Sequence, residues 1–79
     1  MARVLLFGPL RDVAGWRERE AAAETIAALR ALLSAEDARL GEALAAPGVQ
    51  VALDQAIVRG DAALTAGSEV AFLPPMSGG

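Results

Sequence analysis

Six residues at one end of the sequence carry its strongest chemical signal: Pro74-Pro75-Met76-Ser77-Gly78-Gly79. Glycine has no Cβ and tolerates nearly all backbone angles, so a Gly-Gly ending can be threaded through a narrow channel into another protein's active site. Ahead of it, Glu69-Val70-Ala71-Phe72-Leu73 reads as a strand. Pro74-Pro75 stops that strand, because proline donates nothing to a sheet ladder and holds the chain extended. The sequence therefore predicts a folded domain over residues 1–75 and a flexible reactive tail over residues 76–79.

The remaining composition narrows the chemistry further. His, Cys, Tyr and Lys do not occur, and the seven basic residues are all Arg. Metal sites built on imidazole or thiolate are excluded. So are a Ser-His-Asp triad, a cysteine nucleophile and a Schiff-base lysine. Neither Gly-x-Gly-x-x-Gly nor the phosphate-loop pattern is present. No acid sits in a recognisably apolar segment, so a tuned carboxylate pair is not expected. The chain is expected not to be an enzyme by itself, and to bind no metal. Its net charge is −3 with scattered acids, which argues against nucleic acid as a partner.

These residues must be positioned by a small body. At 79 residues the chain makes one domain, and its 54% hydrophobic content is aliphatic and Ala-rich. No run approaches a membrane span, no signal peptide is visible, and cysteine is missing, so a cytoplasmic location without a membrane partner is expected.

Arg3 to Phe7 is a short apolar run that reads as a buried first strand, bounded by Gly8-Pro9. Pro9 to Ala14 suits a short helical turn closed at Gly15. Trp16 to Ala21 is expected as a second strand, with Arg17 to Glu20 forming a solvated face and Trp16 capping the core edge. Thr25 is an N-cap for a helix whose stripe is Ile26, Leu29, Leu32 and Leu33. Ser34 to Asp37 is expected to break it. A weaker helix follows from Asp37 to Ala45, ended by Pro47-Gly48. Val49, Val51 and Leu53 alternate as a half-buried strand, and Ile57-Val58-Arg59 follows after a tight connection. Gly60-Asp61 turns, Leu64 packs alone, and Ala66-Gly67-Ser68 turns into the last strand. One apolar helical stripe needs one sheet face, which predicts a two-layer α+β domain. The apolar first and last strands are expected as the central pair, buried on both faces.

These residues resemble a known family. Val4-Leu5-Leu6-Phe7, Leu10-Arg11-Asp12-Val13-Ala14-Gly15, Leu53-Asp54-Gln55, Thr65 to Phe72 and the Leu73-Pro74-Pro75-Met76-Ser77-Gly78-Gly79 ending are similar to the small subunits of molybdopterin synthase. These are ubiquitin-like β-grasp sulfur carriers. The resemblance spans the chain, and the Pro-Pro-x-Ser/Thr-Gly-Gly ending is its most specific part. It implies a mixed sheet packed on one main helix. It also implies that the Gly79 carboxylate is adenylated by an ATP-dependent activating enzyme and converted to a thiocarboxylate by a sulfur donor. Gly78 then threads with it into a pocket of the large subunit, which supplies the catalytic groups. Sulfur passes to cyclic pyranopterin monophosphate in molybdenum cofactor biosynthesis. The implied assembly is a heterotetramer of two small and two large subunits. No cofactor is expected on this chain, because ATP is consumed by the activating enzyme.

The chemistry of the residues agrees with that division of labour. A carboxylate is a poor electrophile until a leaving group such as adenylate replaces its oxygen. Without cysteine, the terminus is the expected point of sulfur attachment. In the family's fold the first and last strands are parallel neighbours, which would place Phe7 and Leu73 at the root of the tail. Arg11 would share that rim, and Ile57 would extend the apolar patch. Together with Pro74, Pro75, Met76 and Ser77 these residues are the expected partner contacts. Other readings share the tail chemistry and differ in acceptor: tRNA thiolation, thiamine thiazole synthesis, or conjugation to proteins. A plain interaction module with an inert tail is a further alternative, and it predicts that loss of Gly78-Gly79 changes nothing.

Overall fold

A computed structural model describes residues 1–75, which form a five-stranded sheet covered on one face by three helices. Strand β1 (Ala2–Leu6) alternates core-facing Ala2, Val4 and Leu6 with outward Arg3 and Leu5. Helix α1 (Pro9–Ala14) starts on proline and ends at Gly15, whose φ of 82° lets its N–H donate to Arg11 O at 2.8 Å. Strand β2 (Glu18–Ala21) is shorter than the sequence suggests, because Trp16 and Arg17 precede the ladder. Trp16 packs against the core edge, as expected, beneath the Arg19 guanidinium at 5.5 Å.

Helix α2 (Ile26–Glu36) is capped by the Thr25 hydroxyl, which accepts from Ala28 N at 3.0 Å. It buries Ile26, Leu29 and Leu33 against the sheet. The expected break from Ser34 does not occur: Ser34, Ala35 and Glu36 complete the last turn on the exposed side, where ordinary helix formers suffice. Asp37 is the true break. Its extended backbone leaves α2, and its carboxylate caps α3 (Ala38–Leu44) by accepting from Arg39 N at 3.1 Å and Leu40 N at 3.2 Å.

Strands β3 (Gln50–Leu53) and β4 (Ala56–Val58) form a hairpin. Asp54 and Gln55 turn it with φ of 50° and 72°, the left-handed pair a two-residue loop needs. Asp54 also anchors the turn to the start of β5 (Glu69–Leu73): its carboxylate accepts from Glu69 N at 2.9 Å, and its own N–H donates to Glu69 O at 2.8 Å.

The sheet order is β2-β1-β5-β3-β4, with β1 and β5 parallel and the other neighbours antiparallel. The last strand is therefore the middle one, beside the first. Val4, Leu6, Val70 and Phe72 meet Leu29, Leu33, Leu40 and Leu44 in a single core. Leu64 does not pack alone. It joins this core, held by Leu64 N donating to Glu24 O at 2.8 Å and by the Thr25–Ala63 bridge.

Burial on both faces holds only at the centre of β5: helices cover one face, and on the other Ala71 is buried, while Arg3 and Phe7 are exposed and Leu5 and Leu73 are half-buried. Nor is Arg19 simply a solvated residue. It pairs with Val4 on the helix-covered side and reaches Glu36 of α2 at 2.6 Å.

Candidate functional site

Strand pairing defines the place from which the tail departs. Leu73, the last residue of β5, pairs with Gln50 of β3 on one side. On the other side Leu6 pairs with Phe72, so Phe7 stands level with Leu73. The chain then continues through half-buried Pro74 and exposed Pro75. Neither proline has an N–H to add to a ladder, so sheet pairing ends there. Met76, Ser77, Gly78 and Gly79 lie outside the described residues.

The uncovered sheet face supplies the surface beside this exit. Ile57, Ala52, Ala71 and Leu5 lie in one cross-strand row, running from β4 through β3 and β5 to β1. Phe7 and Leu73 form the next row, nearer the tail. Phe7 is 44% exposed and Ile57 48% exposed, which rules out ordinary core packing for both. The small Ala52 and Ala71 are buried between larger neighbours. The structure thus brings Phe7, Ile57 and Leu73 onto one contiguous apolar face, the arrangement that separates an interaction surface from scattered apolar residues.

Arg11 lies on exposed α1 at the rim of this face. With Leu5, Leu6, Phe7, Arg17 and Glu18 it borders a shallow hollow of about 150 Å³. Neither Arg11 nor Arg17 forms an ion pair among the described residues, whereas nearby Glu18 is engaged by Arg3 at 3.2 Å. Among the described residues the rim therefore presents two guanidiniums outside any ion pair, on a chain of net charge −3.

Leu5, Ala52, Ala71 and Arg17 complete the surface and were not singled out by sequence reasoning. The signal for Leu5 exists in the odd-numbered positions of β1, but the unbroken Val4-Leu5-Leu6-Phe7 run hides the alternation. Ala52 and Ala71 have side chains too small to mark a face. Arg17 carries no signal until β1 and β2 are paired.

The perturbed carboxylate among the described residues lies elsewhere. A hydrogen bond from Arg19 holds Glu36 below the usual carboxylate range, and the charge of the same guanidinium adds to the effect. This pair ties β2 to α2 on the covered side, away from the apolar face. What the exposed face offers is contact area and hydrogen-bond donors, the means of docking rather than of bond breaking. No helix among the described residues is long and apolar enough to cross a membrane.

Comparison with known proteins agrees with this architecture. The chain is 40% identical over its full length to the molybdopterin synthase sulfur carrier subunit of Escherichia coli (strain K12), all of which is covered. The solution structure of small archaeal modifier protein 1 from Methanosarcina acetivorans superposes with a TM-score of 0.88 at 21% identity, over 99% of this chain and 95% of that one. The crystal structure of the Haloferax volcanii protein of the same name gives 0.78 at 24% identity, over 99% and 98%. These likenesses establish the fold as ubiquitin-like, and residues 4–79 match one family throughout. The chain belongs to the ThiS family.

Proposed function

We propose that this chain is the sulfur carrier subunit of a molybdopterin synthase, with the Gly79 carboxylate as the atom-carrying group. The observation that carries this reading is the full-length similarity to a curated subunit of that name, at 40% identity. The geometry supports it: the chain leaves the middle strand beside an exposed apolar face with Arg11 and Arg17 on its rim, neither in an ion pair among the described residues.

The chemistry runs in three steps. A Gly79 carboxylate oxygen attacks the α-phosphorus of ATP on a separate activating enzyme, forming the acyl-adenylate and releasing pyrophosphate. Hydrosulfide released by the donor attacks the carbonyl carbon, and AMP leaves, giving the thiocarboxylate. In the large subunit the thiocarboxylate sulfur attacks a carbon of cyclic pyranopterin monophosphate, forming a C–S bond as a C–O bond to that carbon breaks and its oxygen leaves, and water later cleaves the acyl–sulfur bond to restore the carboxylate. Two such deliveries build the dithiolene. The catalytic groups come from the large subunit, and two small subunits flank two large ones. Phe7, Ile57 and Leu73 dock the body, Arg11 pairs with a partner carboxylate, and Pro74 to Gly78 thread the tail.

The test is reconstitution with the large subunit, the activating enzyme, ATP and a sulfur donor. Intact-mass analysis should show one oxygen replaced by sulfur on the terminal residue, followed by conversion of the pterin. Deleting Gly79 should leave the circular dichroism and melting of the domain unchanged and abolish both. A folded deletion variant that still makes product refutes the mechanism. Thiocarboxylate formed normally but passed to a thiazole or a tRNA instead would keep the Gly79 chemistry and overturn the product.

A further inference from the structure

Two loops flank the point where the chain leaves β5, and each presents a glycine to one of the two prolines. Gly8 follows β1, the parallel neighbour on one side of β5; Gly48 precedes β3, the neighbour on the other. A Cβ at Gly8 would stand 3.1 Å from Pro74 Cγ. A Cβ at Gly48 would stand 2.9 Å from Pro75 Cβ and 3.5 Å from Pro75 Cα. The first is tighter than ordinary packing and the second is a clash. Both glycines also sit at positive φ, +58° and +91°, which side chains disfavour. At both positions, backbone conformation and close approach demand the same residue.

We propose that Gly8 and Gly48 form a seat for Pro74 and Pro75 that fixes the direction in which the tail leaves the body, making both glycines positioning residues for sulfur transfer. This rests on the carrier reading for its functional half. Proline fixes its own φ, so two consecutive prolines form a stiff rod with few internal degrees of freedom. A rod held near both residues, from opposite sides, has its axis set by the body. The docking face is built on the same strands, so docking that face also aims the tail. Without the seat the face still binds, and the terminus is delivered less often to the reacting atom.

Gly60 provides an internal control. Its φ is +83°, close to that of Gly48, yet a Cβ there meets nothing within 4 Å. Gly60→Ala therefore places a side chain on a positive-φ backbone without touching the prolines.

The experiment compares Gly8→Ala, Gly48→Ala and Gly60→Ala in the full chain. Cysteine is missing from the sequence, so Ser77→Cys accepts a single nitroxide label, and paramagnetic broadening of the body's amide signals maps where the tail lies. The same substitutions, unlabelled and with Ser77 restored, are assayed for sulfur transfer against increasing large subunit. Gly8→Ala and Gly48→Ala should redistribute the broadening and lower kcat by about 10- to 100-fold, the usual cost of misplacing a reacting group, with KM for the large subunit unchanged. Gly60→Ala should keep the unsubstituted broadening pattern and kcat, whatever it does to Tm. Gly8→Ala, whose Cβ comes no closer than 3.1 Å to Pro74, carries the test if Gly48→Ala does not fold.

Identical broadening in all variants overturns the seat. Redistributed broadening with the kcat of Gly60→Ala overturns the positioning role. If the unsubstituted chain transfers no sulfur, the carrier reading fails by itself, and the broadening still decides whether the seat exists.

Discussion

The docking face can be separated from the folded core by truncating its two exposed apolar residues together. Fully burying a Phe or Ile side chain stabilises by about 1.5–3 kcal/mol. Phe7 is 44% exposed and Ile57 48% exposed in the isolated chain, so about half of that, ~1 kcal/mol each, remains to be gained on docking. Phe7, just past the end of β1, and Ile57 on β4 are three interstrand steps apart, about 14 Å, so their effects should add. Phe7→Ala with Ile57→Ala should therefore weaken binding to the large subunit by ~2 kcal/mol, about 30-fold in Kd. Isothermal titration of the chain into the large subunit reads this directly. Folding should suffer less than from a core truncation such as Phe72→Ala, which removes a fully buried ring and costs about 3–5 kcal/mol. The reasoning is refuted if the double variant binds with the Kd of the unsubstituted chain. It is equally refuted if the double variant melts as low as Phe72→Ala, since the two side chains would then belong to the core.

Substitutions at two further positions probe what holds the sheet to its helices. Arg30 stacks its guanidinium over the Phe72 ring at 5.4 Å and donates to Leu44 O at the end of α3 at 3.1 Å, so Arg30→Ala should destabilise by about 1.5–3 kcal/mol in urea unfolding. Arg30→Lys should recover part of that loss, because the charge returns without the planar fork. Glu36 has a pKa depressed below its ordinary 4.5, chiefly by the Arg19 hydrogen bond. The Arg19–Glu36 contribution is therefore fully present above pH 4.5 and fades as pH falls through the lowered value. Melting curves of the unsubstituted chain and Glu36→Gln should converge on acidification, and a gap that stays constant down to the acid limit would contradict the assignment.

Much of the fold was legible because local signals agreed. Pro9 and Gly15 bound α1, Thr25 starts α2, and Leu40 and Leu44 mark the inner side of α3, all as their sequence positions imply. What misled were signals whose meaning depends on pairing. Val4-Leu5-Leu6-Phe7 is apolar throughout, which reads as burial on two faces, yet the helices cover only one. Arg17 to Glu20 alternates in charge, but only pairing with β1 shows that Arg19 points toward α2. The same limit applied to the site. Phe7, Leu73 and Ile57 could be placed by analogy, while Ala52 and Ala71 became part of the face only once three strand registers were known. Gly8 and Gly48 lie 40 residues apart in sequence, and no local pattern connects either to the prolines they face.

Exposed apolar surface on a sheet is ordinarily a liability, because unpaired edge strands beside it can add strands from other chains. Here the two edges are poor templates. β2 is Glu18-Arg19-Glu20-Ala21, charged over most of its length, and β4 has three residues. Both are devices that discourage edge pairing. The apolar row crosses the sheet from Leu5 on β1 through β5 and β3 to Ile57 on the short edge strand β4, so most of it is reached face-on. The same ordering serves the tail. Because β5 is the middle strand, Phe72 is held by ladders from both sides, against Leu6 of β1 and Val51 of β3, one residue before Leu73 ends the strand. A tail leaving an edge strand would have one such ladder, and its root would be free to peel away. Placing the last strand in the centre, between two charged or short edges, ties the point of departure to the exposed apolar face.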